Sequence, residues 1–140
     1  MASTLHVDIV SAEHEIYSGD AEMVFAPLTT GEVGVLPGHT PLLGRMKAGE
    51  VRVRSDNEEH HFYVSGGLLE IQPHIVTILA DTALRARDLD EAAALQAVQS
   101  AERTLKDQQA GIDYAKVQAE LAEAMARLRV IRRFRERGVK

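Results

Sequence analysis

Hydrophobic positions follow two different rhythms along this chain, and the change falls near residue 87. At the start, Leu5, Val7 and Ile9 alternate with His6 and Asp8, so successive side chains leave opposite faces of a strand with one wet side. Val51 and Val53 alternate in the same way with Glu50, Arg52 and Arg54, which predicts one apolar face and one charged face turned to solvent. Further strand-like runs cover 21–28, 33–36, 42–47, 60–65, 68–72 and 75–80. Between them stand Thr30-Gly31, Pro37-Gly38, Ala48-Gly49, Asp56-Asn57, Gly66-Gly67 and Pro73, whose backbone preferences suit turns. Turn signals about every 8–12 residues belong to an antiparallel sandwich or barrel.

From Asp88 the rhythm becomes helical. Asp88-Leu89-Asp90-Glu91 sets acidic groups where a helix N-terminus exposes its amides and its positive dipole end, predicting a helix from there to about Gln108. Ala94, Val98, Ala101 and Leu105 recur at helical spacing, and Leu89 and Leu95 widen the stripe. Gly111 supplies a stop and Asp113 a second cap. In the second helix Val117, Leu121, Ala124, Leu128 and Ile131 form a coiled-coil-like seam, and the short connector leaves only an antiparallel hairpin. Alanine makes that seam thin. A buried Ala contributes about 0.8 kcal/mol or less, where a Leu or Phe contributes roughly 1.5–3 kcal/mol. The expected fold is therefore α+β by chain: a β-sandwich of about ten strands over 1–86, then a loosely held helical hairpin over 87–140.

Composition narrows the function. The 140 residues are 45% hydrophobic and 26% charged, which fits one ordinary domain or a small domain with a helical appendage. Cysteine is absent, so disulfides, thiolate nucleophiles and zinc fingers are excluded and a reducing compartment is the default. The first ten residues read as a strand and not as a leader peptide, and no run approaches the roughly 20 apolar residues of a membrane span. Any membrane link is expected to run through a partner. Residues 1–86 carry five basic against twelve acidic groups, net −7, whereas 87–140 carry eleven against nine, net +2.

The densest polar cluster, Asp56-Asn57-Glu58-Glu59-His60-His61, contains residue types that bind divalent metals. Neighbours on a strand face opposite ways, so His60 and His61 do not readily share one ion, and Asp-Asn before a strand is hairpin chemistry. Thr30-Gly31-Glu32-Val33-Gly34 and Ser65-Gly66-Gly67 lack the Lys-Ser/Thr pair and the following helix of a phosphate cradle. The final turns are the strongest charge feature: Arg127, Arg129, Arg132, Arg133, Arg135, Arg137 and Lys140 face only Glu136. With no aromatic stacking platform and an acidic remainder, nucleic acid is a poorer target for them than an acidic protein surface.

In order and spacing, the segments at 5–13 (LHVDIVSAE), 31–43 (GEVGVLPGHTPLL), 64–73 (VSGGLLEIQP), 76–83 (VTILADTA), 88–91 (DLDE) and 119–131 (AELAEAMARLRVI) resemble the epsilon subunits of F-type proton-translocating ATP synthases across essentially the whole chain. The resemblance implies a non-catalytic rotor subunit without a cofactor of its own. Its sandwich binds the gamma subunit and rests on the ring of c subunits, with Glu32, Gly34 and His39 in the segment that meets the ring. The helical arm of such subunits switches between a compact and an extended state. In the extended state it reaches the alpha and beta subunits, so Arg127, Arg129, Arg132 and Arg133 become the candidates for restraining ATP hydrolysis. Some relatives bind ATP through a Leu/Ile-Asp-x-x-Arg-Ala segment and further arginines; here Asp90 matches the segment and Arg127 is a candidate second-helix arginine, while Ala93 stands at the segment's arginine position, implying weak or absent ATP binding. The implied location is the cytoplasmic face of a bacterial inner membrane. Two other readings are an adaptor whose basic helix binds polyanions, and a small metal enzyme built on His60 and His61.

Overall fold

The computed structural model describes residues 3–107, 111 and 113–138, so the predicted helix end at Gln108 and the basic Lys140 lie outside the described residues. The chain divides into two compact units, Met1–Ala86 and Arg87–Lys140.

The first unit consists of β1 (Leu5–Ser11), β2 (Glu15–Ala21), β3 (Met23–Leu28), β4 (Gly31–Val35), β5 (Leu42–Met46), β6 (Gly49–Ser55), β7 (Glu58–Val64), β8 (Gly67–Ile71), β9 (Ile75–Ala80) and β10 (Ala83–Arg85). They form one folded sheet in the order β10-β7-β6-β3-β5-β8-β9-β1-β2, with β4 paired to β3. Leu5, Val7 and Ile9 of β1 are buried together with Val24, Val35, Val51, Val53, Phe62, Leu69, Ile71, Val76 and Ile78, so the period-two apolar positions of most strands converge on one aliphatic core. Aligned pairings are antiparallel except one: β1 runs parallel to β9, with Val7 opposite Val76 and Ile9 opposite Ile78. The expected antiparallel sandwich departs from that pattern at this pair, because β1 and β9 lie far apart in the chain and no hairpin joins them.

Turn chemistry follows the sequence closely. Asp56 and Asn57 adopt φ of 40° and 68°, the double left-handed geometry of a two-residue hairpin turn, and β6 and β7 pair from Ser55↔Glu58 back to Gly49↔Val64. Gly67, at φ 135°, enters β8 so close to β9 that a Cβ there would stand 2.1 Å from the Leu79 carbonyl oxygen. Two strands lie outside the predicted runs: β2, an edge strand with Ala21 as its one buried residue, and the three-residue β10. Glu50 is a second correction. Expected on the wet face, it is 5% exposed.

The second unit is a helical pair preceded by a 3-10 turn (Ala86–Asp88). The helices are α1 (Glu91–Asp107) and α2 (Tyr114–Glu136). Asp90, not Asp88, caps α1: its Oδ1 accepts from the Ala93 amide at 3.2 Å, and the 3-10 turn consumes the residues before it. Asp113 caps α2 as predicted, accepting from the Lys116 amide. Ala94 and Val98 on α1 pack with Ala124, Leu128 and Ile131 on α2, flanked by Leu89 and Leu121. Leu95, expected to widen the stripe, is 37% exposed. Ala126, Val130 and Phe134 are also buried and recur every four residues, a stripe on a different side of α2 from the seam. Neither described helix is long and apolar enough to cross a membrane.

Candidate functional site

The loop between β4 and β5 is built to hold its shape while presenting apolar side chains. Its root is the β3–β4 pairing, in which Pro27 stands opposite Glu32 and Phe25 opposite Gly34. Its tip is a turn closed by the His39 amide on the Leu36 carbonyl at 3.1 Å, and the Gly38 amide donates to the Pro73 carbonyl at 2.8 Å, tying the tip to the β8–β9 turn. The His39 ring spends Nδ1 on the Thr40 carbonyl at 2.6 Å. Leu36 and Leu42 project from either side of this turn and are exposed, as is Leu43, at 68%.

Glu32, Gly34 and His39 thus belong to one structural segment, but they do different jobs in it. Gly34 has a packing reason to lack a side chain: a Cβ there would come within 3.2 Å of Met23 Cε and 3.3 Å of Phe25 Cε1. Glu32 is already engaged, with Oε1 accepting from Arg52 Nη2 at 3.2 Å. Its carboxylate thus has an internal partner within the segment that the resemblance sets against the ring.

A feature missed in the sequence lies on the outer face of β5, β8 and β9. Leu68 stands opposite both Arg45 and Leu79, and Leu68 and Leu79 are 44% and 49% exposed. Leu43, two residues before Arg45, shares this face but stands opposite Glu70. Single exposed leucines need no explanation, whereas Leu68 and Leu79 are exposed side by side. Strand alternation alone could have flagged it: in LLEI and VTILA, Leu68 and Leu79 fall on the positions opposite the core residues Leu69 and Ile78.

On the helical unit the arginines sort into tied and presented groups. Glu91 at the start of α1 pairs with Arg132 Nε at 3.5 Å and with Arg135 near the end of α2, clamping the open end of the hairpin. Arg127 pairs with Glu123 one turn earlier. Arg129, Arg132 and Arg133, with Leu95, Val98, Met125 and Leu128, line an open groove of about 530 Å³ along the two helices. Asp90 and Arg127, matched to a nucleotide pattern, are not joined to each other: Asp90 spends its carboxylate on the helix cap.

The histidine clusters resolve in the same residue-by-residue way. His60 turns its ring to Tyr17, 5.2 Å between centroids, while His61 Nδ1 meets buried Glu50 at 3.1 Å. The two rings diverge, and the described residues contain no group of three metal-ligating side chains. At the β1–β2 edge, His6 meets Asp20 at 3.3 Å through Nδ1 and Asp8 at 2.9 Å through Nε2, and Ser18 donates to Asp8 at 2.7 Å. Hydrogen bonds to Asp20 and then Asp8 raise the His6 pKa above its ordinary value.

Comparison with known proteins covers both units. Residues 4–86 match the family model of the ATP synthase delta/epsilon chain beta-sandwich domain, and residues 87–132 match that of the delta/epsilon chain long alpha-helix domain. The ATP synthase epsilon chain of Nitrosococcus oceani is 62% identical over 138 residues, covering 98% of this chain and 99% of the relative. That of Alkalilimnicola ehrlichii is 60% identical over 137 residues, covering 97% and 98%. Among solved structures, a chain of the Euglena gracilis mitochondrial ATP synthase, captured as OSCP/F1/c-ring in rotational state 1, superposes with a TM-score of 0.72 at 18% identity, covering 86% of this chain and 76% of its own; at that identity the likeness is one of fold. The chain belongs to the delta/epsilon family of ATP synthase subunits, and within it to the epsilon chains, accessory rather than catalytic members of the synthase.

Proposed function

We propose that this chain is a central-stalk subunit that couples proton flow to ATP synthesis, with its sandwich as anchor and its helices as a restraint on hydrolysis. The observation that carries the anchoring half is the exposed apolar rim of Leu36, Leu42 and Leu43 on a loop tied down at Gly38. A fixed backbone presenting wet leucines loses little entropy on docking and gains from burying them. The loop of Glu32, Gly34 and His39, with Leu43 beside it, meets the c-ring, and Leu68 and Leu79 on the outer sheet face meet gamma. In the restraining half, Arg127, Arg129, Arg132 and Arg133 engage acidic surface on the alpha and beta subunits, which agrees with the +2 charge of the helical half against −7 for the sandwich. The protein sits peripherally at the cytoplasmic face of the bacterial inner membrane through these partners. ATP is bound weakly or not at all, since Asp90 caps a helix and Ala93 brings no charge.

The test is affinity isolation of the tagged full-length chain from native membranes. Wild type should recover gamma and c subunits together, and Leu43→Glu should lose c while the chain stays folded. Recovery of neither partner by wild type, or undiminished c with Leu43→Glu, would contradict the anchoring role.

A further inference from the structure

Arg52 sits at the centre of a row of contacts that crosses four adjacent strands. The registers set Phe25 of β3 opposite Gly34 of β4 on one side and Arg52 of β6 on the other, and Arg52 opposite His61 of β7. The Arg52 guanidinium carbon lies 4.1 Å from the Phe25 ring centroid. Its Nη2 is 3.2 Å from Glu32 and its Nε 3.8 Å from Glu50. Glu50 also receives His61, whose other ring nitrogen is 3.6 Å from Glu59, and Glu59 in turn faces Arg54 at 3.5 Å.

Each contact in this row constrains the next. A carboxylate as buried as Glu50 needs cationic and hydrogen-bonding neighbours. A guanidinium can stack on an aromatic face while donating from its edge, which an ammonium cannot do. Gly34 leaves room beside the Phe25 ring, where a Cβ would come within 3.3 Å of Cε1. With its face on Phe25 and its Nε turned to Glu50, Arg52 keeps its Nη donors, and Nη2 is aimed at Glu32. Glu32 stands at the root of the β4–β5 loop, so its position fixes where the loop starts.

We propose that Arg52 is a positioning residue that holds Glu32, and with it the β4–β5 loop, through an internal ion pair, so that Glu32 serves docking as a tether and not as the counter-ion of a partner's cation. The docking half of this statement rests on the proposed function; the tether itself does not. If Glu32 instead met a partner's cation directly, Arg52 would be its competitor.

The two arrangements predict opposite signs. Full-length Glu32→Gln, Arg52→Met and the double variant are compared by amide hydrogen exchange across Gly31–Val35 and by recovery of c subunits from native membranes, with Leu43→Glu as the docking control. Under the tether, Glu32→Gln and Arg52→Met each speed exchange in β4 by about two- to fivefold, as expected for losing a part-exposed ion pair. Both also lower c recovery, and the double variant falls no further than the worse single. Unchanged β4 exchange in Glu32→Gln, which leaves the buried Glu50 site intact, overturns the tether. So does higher c recovery in Arg52→Met with lower recovery in Glu32→Gln, the signature of a released competitor. If Leu43→Glu leaves c recovery intact, the docking reading falls, while β4 exchange still decides the tether.

Discussion

Single residues show where the sandwich tolerates no change and where it responds to pH. Gly67 combines a left-handed backbone with a 2.1 Å approach of its missing Cβ to the Leu79 carbonyl; Gly67→Ala should therefore cost about 3 kcal/mol or more in urea unfolding, whereas Gly38→Ala, with open space around it, should cost about 1–2 kcal/mol from its positive φ alone. His6 faces Asp8, Asp20 and Ser18 on its own sheet face, and its folded pKa is raised. A raised histidine pKa contributes stability that is complete below the unfolded value and is lost as pH rises through the folded one. Thermal unfolding should thus shift down as pH rises above about 6.5, and His6→Gln should flatten that slope; an unaltered slope would remove the assignment. The strand alternation that set Leu5, Val7 and Ile9 inside was plain in the sequence. The burial of Glu50 was not, because it depends on Arg52 and on His61, eleven positions away in sequence and set opposite Arg52 by the β6–β7 register.

Elements differ in how strongly their own sequences specify them. The α2 seam was legible from spacing, and Ala124, Leu128 and Ile131 are indeed buried beside Ala94 and Val98. The second stripe of Ala126, Val130 and Phe134 was obscured by the arginines interleaved with it. Strand β2 escaped notice because EIYSGDA carries Gly, Ser and Asp and buries mainly its last residue, so its pairing with β1 owes more to the ladder than to a hydrophobic pattern. The hairpin depends on few large side chains. Leu128→Ala should cost the helical pair about 2–5 kcal/mol, read as faster amide exchange in α1 and α2 with the β-strand amides unchanged. By contrast, Glu91→Gln, which releases two exposed arginines, should cost no more than about 1 kcal/mol. Equal loss of protection in both units on Leu128→Ala would mean the two unfold as one.

At the scale of the whole molecule, the chain pairs a sandwich whose core spans its sheet with a helical pair joined by a thin apolar seam. The charges divide along the same line, −7 and +2, and both units match domains of one family. Family membership was legible because distinctive segments recur in order along β1, β8, β9 and α2 as well as in the Gly66-Gly67 turn and the β4–β5 loop. The candidate surfaces were less so: alternation marks Leu68 and Leu79 as outward, but that they stand side by side, and that Glu32 meets Arg52, follows only from the strand registers and contacts. The central claim is that the sandwich anchors while the helices restrain. The most direct measurement compares ATP hydrolysis and ATP-driven proton pumping in membranes carrying the full chain or a chain ending at Arg87. The account predicts retained pumping with raised hydrolysis for the shortened chain; unchanged hydrolysis, or pumping lost along with the helices, would contradict it.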